Sequence, residues 1–177
     1  MGRFRRLERG APDWPLSEDS RSRLDQYIGR YLLGQLKREC RTGLPDHLTF
    51  VFGHTHKPFE EVLCVTGVEA PVHVYNLGGW VVDTIHTAPR QGGAIAVIDE
   101  DGYVASIRMY NQAADPARYR VSVTRADGEN GEPNPVYDRL LELVNPEQPP
   151  WSDFSKKVAE AVEERRRNLK RVIRRVE

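Results

Sequence analysis

The segment TFVFGHTHKP, residues 49–58, is the most informative part of the sequence, because it joins a predicted strand to a loop that carries two histidines. Its first half is β-branched and aromatic, as strands are. Gly53 permits a sharp change of backbone direction, and Pro58 cannot donate to a strand ladder. We therefore expect His54 and His56 to lie on a loop at the carboxyl end of a strand. Neutral imidazole is a common ligand of zinc, manganese and iron, so the pair is a candidate metal half-site.

Further strands are predicted around this motif by short β-branched or aromatic runs. They lie at 48–52, 62–68, 72–77, 80–85, 92–99 and 103–110. The sequence EDG at 100–102 predicts a tight hairpin with Gly102 at positive φ. No helix long enough for a crossover separates these runs, which favours a largely antiparallel sheet. Trp80 and Cys64 fall within apolar runs, so we expect both side chains to be buried.

Helices are predicted before and after the strands along the sequence, which makes the expected fold class α+β. Ser17 or Ser20 is a candidate N-cap for a helix that runs to about Arg41. A short helix is expected at 136–144 and a long one at 152–176. The expected organisation is a basic, disordered segment at 1–16 and a sheet domain with its helix at 17–112. An irregular acidic connection with a short helix follows at 113–151, and a basic amphipathic helix at 152–177.

Charge is balanced over the 177 residues, with 26 basic and 26 acidic side chains, but it is unevenly distributed. Residues 1–45 carry 10 basic and 6 acidic side chains, residues 46–150 carry 7 and 15, and residues 151–177 carry 9 and 5. Two cysteines are too few for a disulfide framework, and neither a secretory signal nor an apolar run of membrane-spanning length is present. These features predict a cytoplasmic protein with free thiols and no membrane span.

The motif VFGHTHKP, residues 51–58, resembles the last metal-binding motif, G-H-x-H, of the calcineurin-like metallophosphoesterases. The segment VHVYNLGGWV, residues 72–81, is similar to the Asn-x-Gly-x-Trp turn that follows this motif in many bacterial members, and the hairpin at 92–107 resembles the strands that close their second sheet. The resemblance covers about residues 45–112. It implies the C-terminal half of a four-layer αββα sandwich and a phosphoric ester hydrolase in which two metals activate a hydroxide that attacks phosphorus.

Carried onto this sequence, the resemblance makes His54 a ligand of one metal and His56 a ligand of the other. The metals would be divalent manganese, iron or zinc. Gly53 and Asn76 would lie around the ligands or simply form turns. The earlier family motifs D-x-H, G-D-x-x-D and G-N-H-D/E do not occur in this sequence. The chain thus supplies two ligands where a dinuclear site needs about eight, and no catalytic residue is identifiable. We expect a fragment that is inactive alone, with the rest supplied by a missing N-terminal half or a partner chain.

Two other interpretations follow from the same residues. His54, His56, Glu60 and Gly67 match the spacing of the cupin motif H-x-H-x3-E-x6-G, which binds a single metal inside a β-barrel. That site requires both histidines within one continuous strand, and the flanking Gly53 and Pro58 argue against it. The second interpretation is a non-catalytic interaction module whose basic helix contacts phosphates. It is disfavoured for nucleic acid because no aromatic residues interleave with the basic ones.

Overall fold

The computed structural model describes residues 16–40, 43–45, 47–53, 55–82, 85, 90–111, 118–128 and 131–174. Helices and two small sheets make up this part of the chain, which confirms the α+β class. The disordered segment expected at 1–16 lies outside the described residues except for Leu16, whose side chain is buried.

Within the described residues, each of the two sheets has three strands. The first contains β1 (Leu48–Phe52), β2 (Phe59–Leu63) and β3 (Val72–Asn76), in the order β1-β3-β2. The second contains β4 (Gly92–Ile98), β5 (Val104–Asn111) and β6 (Ser122–Thr124), in the order β4-β5-β6. Every pair of described strands is antiparallel except β1 with β3, which is parallel. The prediction of a largely antiparallel sheet is therefore confirmed for the described strands. The parallel pair arises because β2 lies between β1 and β3 in sequence and provides the return that a helix would otherwise make.

Most predicted strands lie where the sequence places them, and β1 matches its prediction residue for residue. Gly102 adopts φ 84° in the β4–β5 hairpin, as expected. Three predictions were wrong. β2 begins at Phe59 and ends at Leu63, before most of the predicted 62–68 run. The described residues of the predicted strand 80–85, which are Trp80–Val82 and Ile85, lie outside any strand. The connection expected to be irregular contains β6.

The N-terminal helical rod begins at Ser17, whose hydroxyl accepts a hydrogen bond from the Ser20 amide at 3.2 Å. It consists of α1 (Glu18–Gln26), a π-helical segment (Tyr27–Leu32) and α2 (Leu33–Glu39). Gly29 in the π-helical segment faces the chain at Thr66, where an added Cβ would lie 2.8 Å from the carbonyl oxygen. The absent side chain thus allows this rod to pack directly on the segment that follows β2.

The rod covers one face of the first sheet. Ile28 packs there against alternate residues of the strands, including Leu63, Val72 and Val74. The remaining side chains of β3, His73 and Tyr75, point to the opposite face because side chains alternate along a strand.

The second sheet is covered by α3 (Pro135–Leu143) and α4 (Trp151–Ile173), both close to their predicted positions. Its core residues on this face include Ala105, Ile107 and Val121. The two sheets meet through their other faces. The Tyr75 hydroxyl donates to the Val104 carbonyl at 2.7 Å. Arg108 of β5 forms a salt bridge with Glu60 of β2, whose side chain is buried.

Among the described helices, none is both long and apolar enough to cross a membrane. Cys40 and Cys64 are free thiols. The prediction that Cys64 is buried was wrong, because the strand ends at Leu63 and leaves the next side chain exposed.

Candidate metal centre

The histidine loop leaves the carboxyl end of β1, as the sequence predicts. His54 lies outside the described residues. Thr55 and His56 form a bend between β1 and β2, and His56 adopts φ 62°, which is uncommon for a residue with a side chain. The cupin arrangement needs the residues around His56 in a continuous strand, whereas Thr55–Pro58 lies outside any strand. Glu60, the carboxylate of the cupin pattern, pairs instead with Arg108.

Asn76 fastens this loop to the end of β3. Its side chain has no exposed surface. Its Oδ1 accepts a hydrogen bond from the Gly78 amide at 2.9 Å, and its Nδ2 donates to Thr55 Oγ1. Because β1 and β3 are parallel neighbours, their carboxyl ends lie side by side at one end of the sheet. Asn76 connects the two segments that follow these strand ends. The structure therefore gives Asn76 the role of a turn residue that positions the histidine loop.

Two glycines allow the segment after β3 to approach the loop closely. A Cβ on Gly79 would lie 3.0 Å from the imidazole of His56, so that ring packs directly on the Gly79 backbone. Gly78 adopts φ 69° and lies against Pro58 and Gly92. Backbone bonds hold the arrangement: Gly92 N–H donates to the His56 carbonyl at 2.9 Å, and Gly79 N–H donates to the Gly92 carbonyl at 3.0 Å. The turn thus joins the loop to β4.

The residues around the loop do not complete a metal site. Within the described parts of the chain, no group of three or more His, Cys, Asp or Glu side chains is placed to hold a metal ion. Gly53 is exposed and contributes backbone alone, and its Cβ position lies 3.4 Å from the Gly78 carbonyl oxygen. At this end of the sheet, the described residues provide one partly buried imidazole, that of His56, beside a rigid turn.

Two further histidines lie at the opposite end of the sheet. His47 precedes β1 and lies six positions before Gly53, a distance on the order of 20 Å along a strand. It lines a cleft of about 460 Å³ with His73, Asp101 and Asp127. Its position near the amino ends of β1 and β3 separates it from the histidine loop. The sequence does not predict this cleft, because Asp127 reaches it through the pairing of β6.

An ion pair at the wall of this cleft shifts the pKa of its carboxylate. Burial by itself would raise the pKa of Asp127, but the hydrogen bonds and charge of Arg125 outweigh it and hold this pKa below its ordinary value. The Arg125 side chain is buried, donates to both Asp127 oxygens and to the Glu132 carbonyl, and lies 5.4 Å from the centroid of the Tyr137 ring. The pair therefore ties the loop after β6 to α3.

Replacing Asp127 by asparagine should flatten the acid dependence of stability. A carboxylate whose folded pKa is depressed contributes stability above its unfolded pKa, and that contribution is lost as pH falls through the folded pKa. The window here lies below about pH 4, the ordinary pKa of Asp. Urea unfolding measured from pH 6 down to pH 2.5 should give a steeper loss for wild type than for Asp127→Asn. The control Asp101→Asn removes an exposed carboxylate of the same cleft and should keep the steep loss. Equal slopes for wild type and Asp127→Asn would contradict the prediction.

Trp80, expected in the core, is 55% exposed. The turn at Gly78–Gly79 carries the chain out of the sheet, so this residue does not begin a strand. Its ring lies 5.8 Å from that of Tyr110, whose hydroxyl is 2.9 Å from the Gly79 carbonyl oxygen. The indole therefore covers the outside of the turn beside the histidine loop.

Part of the basic charge on α4 has a structural use. Arg165 Nε donates to the Val82 carbonyl at 3.4 Å, and an Arg166 guanidinium nitrogen donates to the Ile85 carbonyl at 3.2 Å. Arg166 also pairs with Glu163 one turn earlier. The bonds to Val82 and Ile85 fix the helix to the segment after Trp80, and Glu163 offsets the charge of Arg166.

Comparison with known proteins adds no relative to this description. Neither a protein-family model, nor a curated protein, nor a solved structure matches the chain significantly.

Proposed function

We propose that the chain is the C-terminal part of a metal-dependent phosphoesterase of the calcineurin-like kind. The observation that carries this proposal is the packing of the G-H-T-H loop on the N-L-G-G turn, with the His56 imidazole lying directly on Gly79. The two motifs that resemble the family are 20 residues apart in sequence. The two motifs contact each other at the carboxyl ends of parallel strands. Two short motifs that matched the family by chance would have no reason to lie together.

The order of the packed elements also supports the proposal. The N-terminal rod lies on the outer face of the first sheet, and α3 and α4 lie on the outer face of the second. The inner faces meet through Tyr75 with Val104 and through Glu60 with Arg108. This order of layers (helix, sheet, sheet, helix) supports an αββα sandwich to which the chain would contribute the C-terminal half.

The metals would act as Lewis acids, since two divalent ions can activate a hydroxide and neutralise charge on the phosphoryl group that it attacks. The residues of this chain do not fit a complete dinuclear site. Two neutral imidazoles cannot offset the repulsion between two divalent cations, so bridging carboxylates are required. We therefore assign His54 and His56 to one side of a site whose remaining ligands come from a polypeptide with the earlier motifs. The substrate is a phosphate ester whose identity those residues would select.

Measurement of aryl phosphate hydrolysis tests this assignment. The purified chain with manganese should show no turnover above the metal-only background, because the bridging ligands are absent. Robust manganese-dependent turnover that is lost in His54→Ala would contradict the claim that the site is incomplete. Turnover that survives in both His54→Ala and His56→Ala would place any activity elsewhere.

Metal titration tests whether the histidine loop binds metal even though the chain is expected to be inactive. Zinc should bind weakly to the wild-type chain, and the affinity should fall by at least about tenfold in His56→Ala, since one of two imidazole ligands is removed. The matched control is His47→Ala, at the other end of β1, which should bind zinc as wild type does. Equal losses in the two variants would contradict the assignment of the loop as the binding site.

The two free thiols agree with a reducing compartment, and we extend the proposal to a cytoplasmic location on that ground. Cys40 is partly exposed and Cys64 is exposed, and no disulfide joins them. Structural disulfides are rare in the cytosol and common in secreted proteins.

A further inference from the structure

Strand β1 lies at the edge of the first sheet. Among the described residues its sole strand neighbour is β3. Its sequence, LTFVF, has no charge, no proline and no glycine, and its pairing with β3 has no bulge. Edge strands are normally protected against pairing by charged residues, proline or bulges. None of these devices is present in β1.

The direction of the free backbone groups follows from one hydrogen bond. Leu77 N–H donates to the Phe52 carbonyl at 2.7 Å, so the backbone groups of Phe52 face β3. Successive residues of a strand alternate in this respect, and Phe50 and Leu48 therefore also face β3. The N–H and C=O groups of Thr49 and Val51 point away from it. Within β1, four backbone groups thus face outward.

An exposed aromatic cluster lies next to this edge. Phe50 packs against Phe52 with ring centroids 5.4 Å apart and against Tyr27 at 6.1 Å, and Tyr27 packs against Tyr31 at 6.3 Å. Tyr27 is 50% exposed and Tyr31 is 70% exposed. No side chain of β1 is fully buried, in contrast to Val72, Val74 and Tyr75 of β3. The edge therefore combines unpaired backbone groups with incompletely buried aromatic surface.

We propose that β1 pairs with β1 of a second copy of this chain, antiparallel, across a two-fold axis at Phe50. In this register Thr49 of each copy lies opposite Val51 of the other, and each pair exchanges two hydrogen bonds. All four outward groups of each copy are then satisfied. Phe50 meets its symmetry mate as a non-hydrogen-bonded pair, in which Cα atoms are about 4.5 Å apart.

Two features of the strand and its surroundings favour a second copy as the occupant. The two-fold axis brings the two aromatic clusters together, so that Tyr27 and Phe50 of both copies form one continuous patch. The strand has no charge that would oppose its own copy. Parallel addition of an identical strand does not close on itself, whereas the antiparallel arrangement is isologous and stops at a dimer.

The mass in solution tests the proposal. Sedimentation velocity over a concentration series should show wild type approaching twice the monomer mass. Val51→Pro should remain monomeric, because proline removes an outward N–H while the bonds to β3 use Phe50 and Phe52. Val51→Thr keeps the donor and should dimerise as wild type does. Far-UV circular dichroism establishes that each variant is folded.

A second variant keeps the test decisive if Val51→Pro fails to fold. Thr49→Lys changes an exposed residue and introduces a charge opposite Val51 of the other copy, so it should weaken dimerisation at least about tenfold. A wild-type chain that is monomeric at every concentration overturns the proposal. So does a dimer of wild-type affinity in folded Val51→Pro or in Thr49→Lys.

Cross-linking tests the register itself. In a background with Cys40→Ser and Cys64→Ser, Phe50→Cys should form an intermolecular disulfide on mild oxidation, since residues on the axis meet their own copies within disulfide distance. Phe52→Cys lies opposite Leu48 of the other copy and should cross-link far less. Equal cross-linking, or cross-linking of Phe52→Cys alone, overturns the register. Occupation of the edge by another polypeptide would give an unlinked, monomeric chain in both cases.

Discussion

Replacing Gly78 by alanine should destabilise the protein by at least about 3 kcal/mol, because the substitution combines backbone strain with overpacking. Gly78 adopts φ 69°, and an added Cβ would lie 2.4 Å from the Gly92 carbonyl oxygen and 2.7 Å from Pro58 Cδ. Neither contact can be relieved by rotating a flexible side chain. The backbone of the turn or of β4 has to move, and with it the packing of the histidine loop. Urea unfolding followed by circular dichroism measures the loss.

The matched control is Gly102→Ala in the β4–β5 hairpin. Gly102 adopts a similar φ of 84°, but an added Cβ there meets nothing within 4 Å. Its substitution carries the cost of positive φ alone, about 1 kcal/mol. The difference between the two variants isolates the close approach at Gly78. A Gly78→Ala variant no less stable than Gly102→Ala would mean that the turn does not lie as close to Gly92 and Pro58 as described.

Local patterns in the sequence predict those elements whose formation is governed by local contacts. β1 and the β4–β5 hairpin are set by β-branched runs and by Gly102, and both lie where the sequence indicates. The helix start at Ser17 is likewise a local hydrogen bond. The parallel pairing of β1 with β3 has no such signal, because it depends on where β2 folds back.

The errors around Trp80 have a common physical cause. The run WVVDTI has strand composition, but Gly78 and Gly79 are held against Gly92 and His56, and this tertiary packing turns the chain before Trp80. The indole then lies on the surface of the turn instead of in a core. Composition could not reveal this, because the determining contacts join residues more than ten positions apart.

In the candidate site, too, local sequence predicts some features, whereas others depend on tertiary packing. The strand, the glycine and the proline around the histidine motif place His56 in a loop, and the structure has it there. The cleft between His73 and Asp127 was missed because it is built from separate strands and a loop. For Asn76 the sequence left two roles open, a turn residue or a neighbour of metal ligands. Its bonds to Gly78 and Thr55 give it the first role and bring it to the loop where the second would be exercised.

Asn76→Ala should cost about 2–4 kcal/mol, since the side chain is fully buried and serves two partners. The change leaves the buried Gly78 N–H without its acceptor, and it leaves Thr55 Oγ1, which is partly buried, without its donor. It also releases the histidine loop from the end of β3. Zinc affinity should therefore fall together with stability, although Asn76 is not itself assigned as a ligand. Urea unfolding and zinc titration of the same preparation measure both effects.

The control variant Asn145→Ala distinguishes the effect of burial from the effect of losing the hydrogen bond. Asn145 Oδ1 accepts from the Glu147 amide at 3.0 Å, the same spacing of two residues as in the Asn76–Gly78 bond, but the site is exposed. Water can replace the lost acceptor there, so this variant should lose less than about 1 kcal/mol and keep wild-type zinc binding. Comparable losses in the two variants would show that the burial of Asn76 contributes nothing. A normal zinc affinity in destabilised Asn76→Ala would mean that the loop holds its shape without the tie to β3, and that the rigidity at this edge comes from the glycine turn alone.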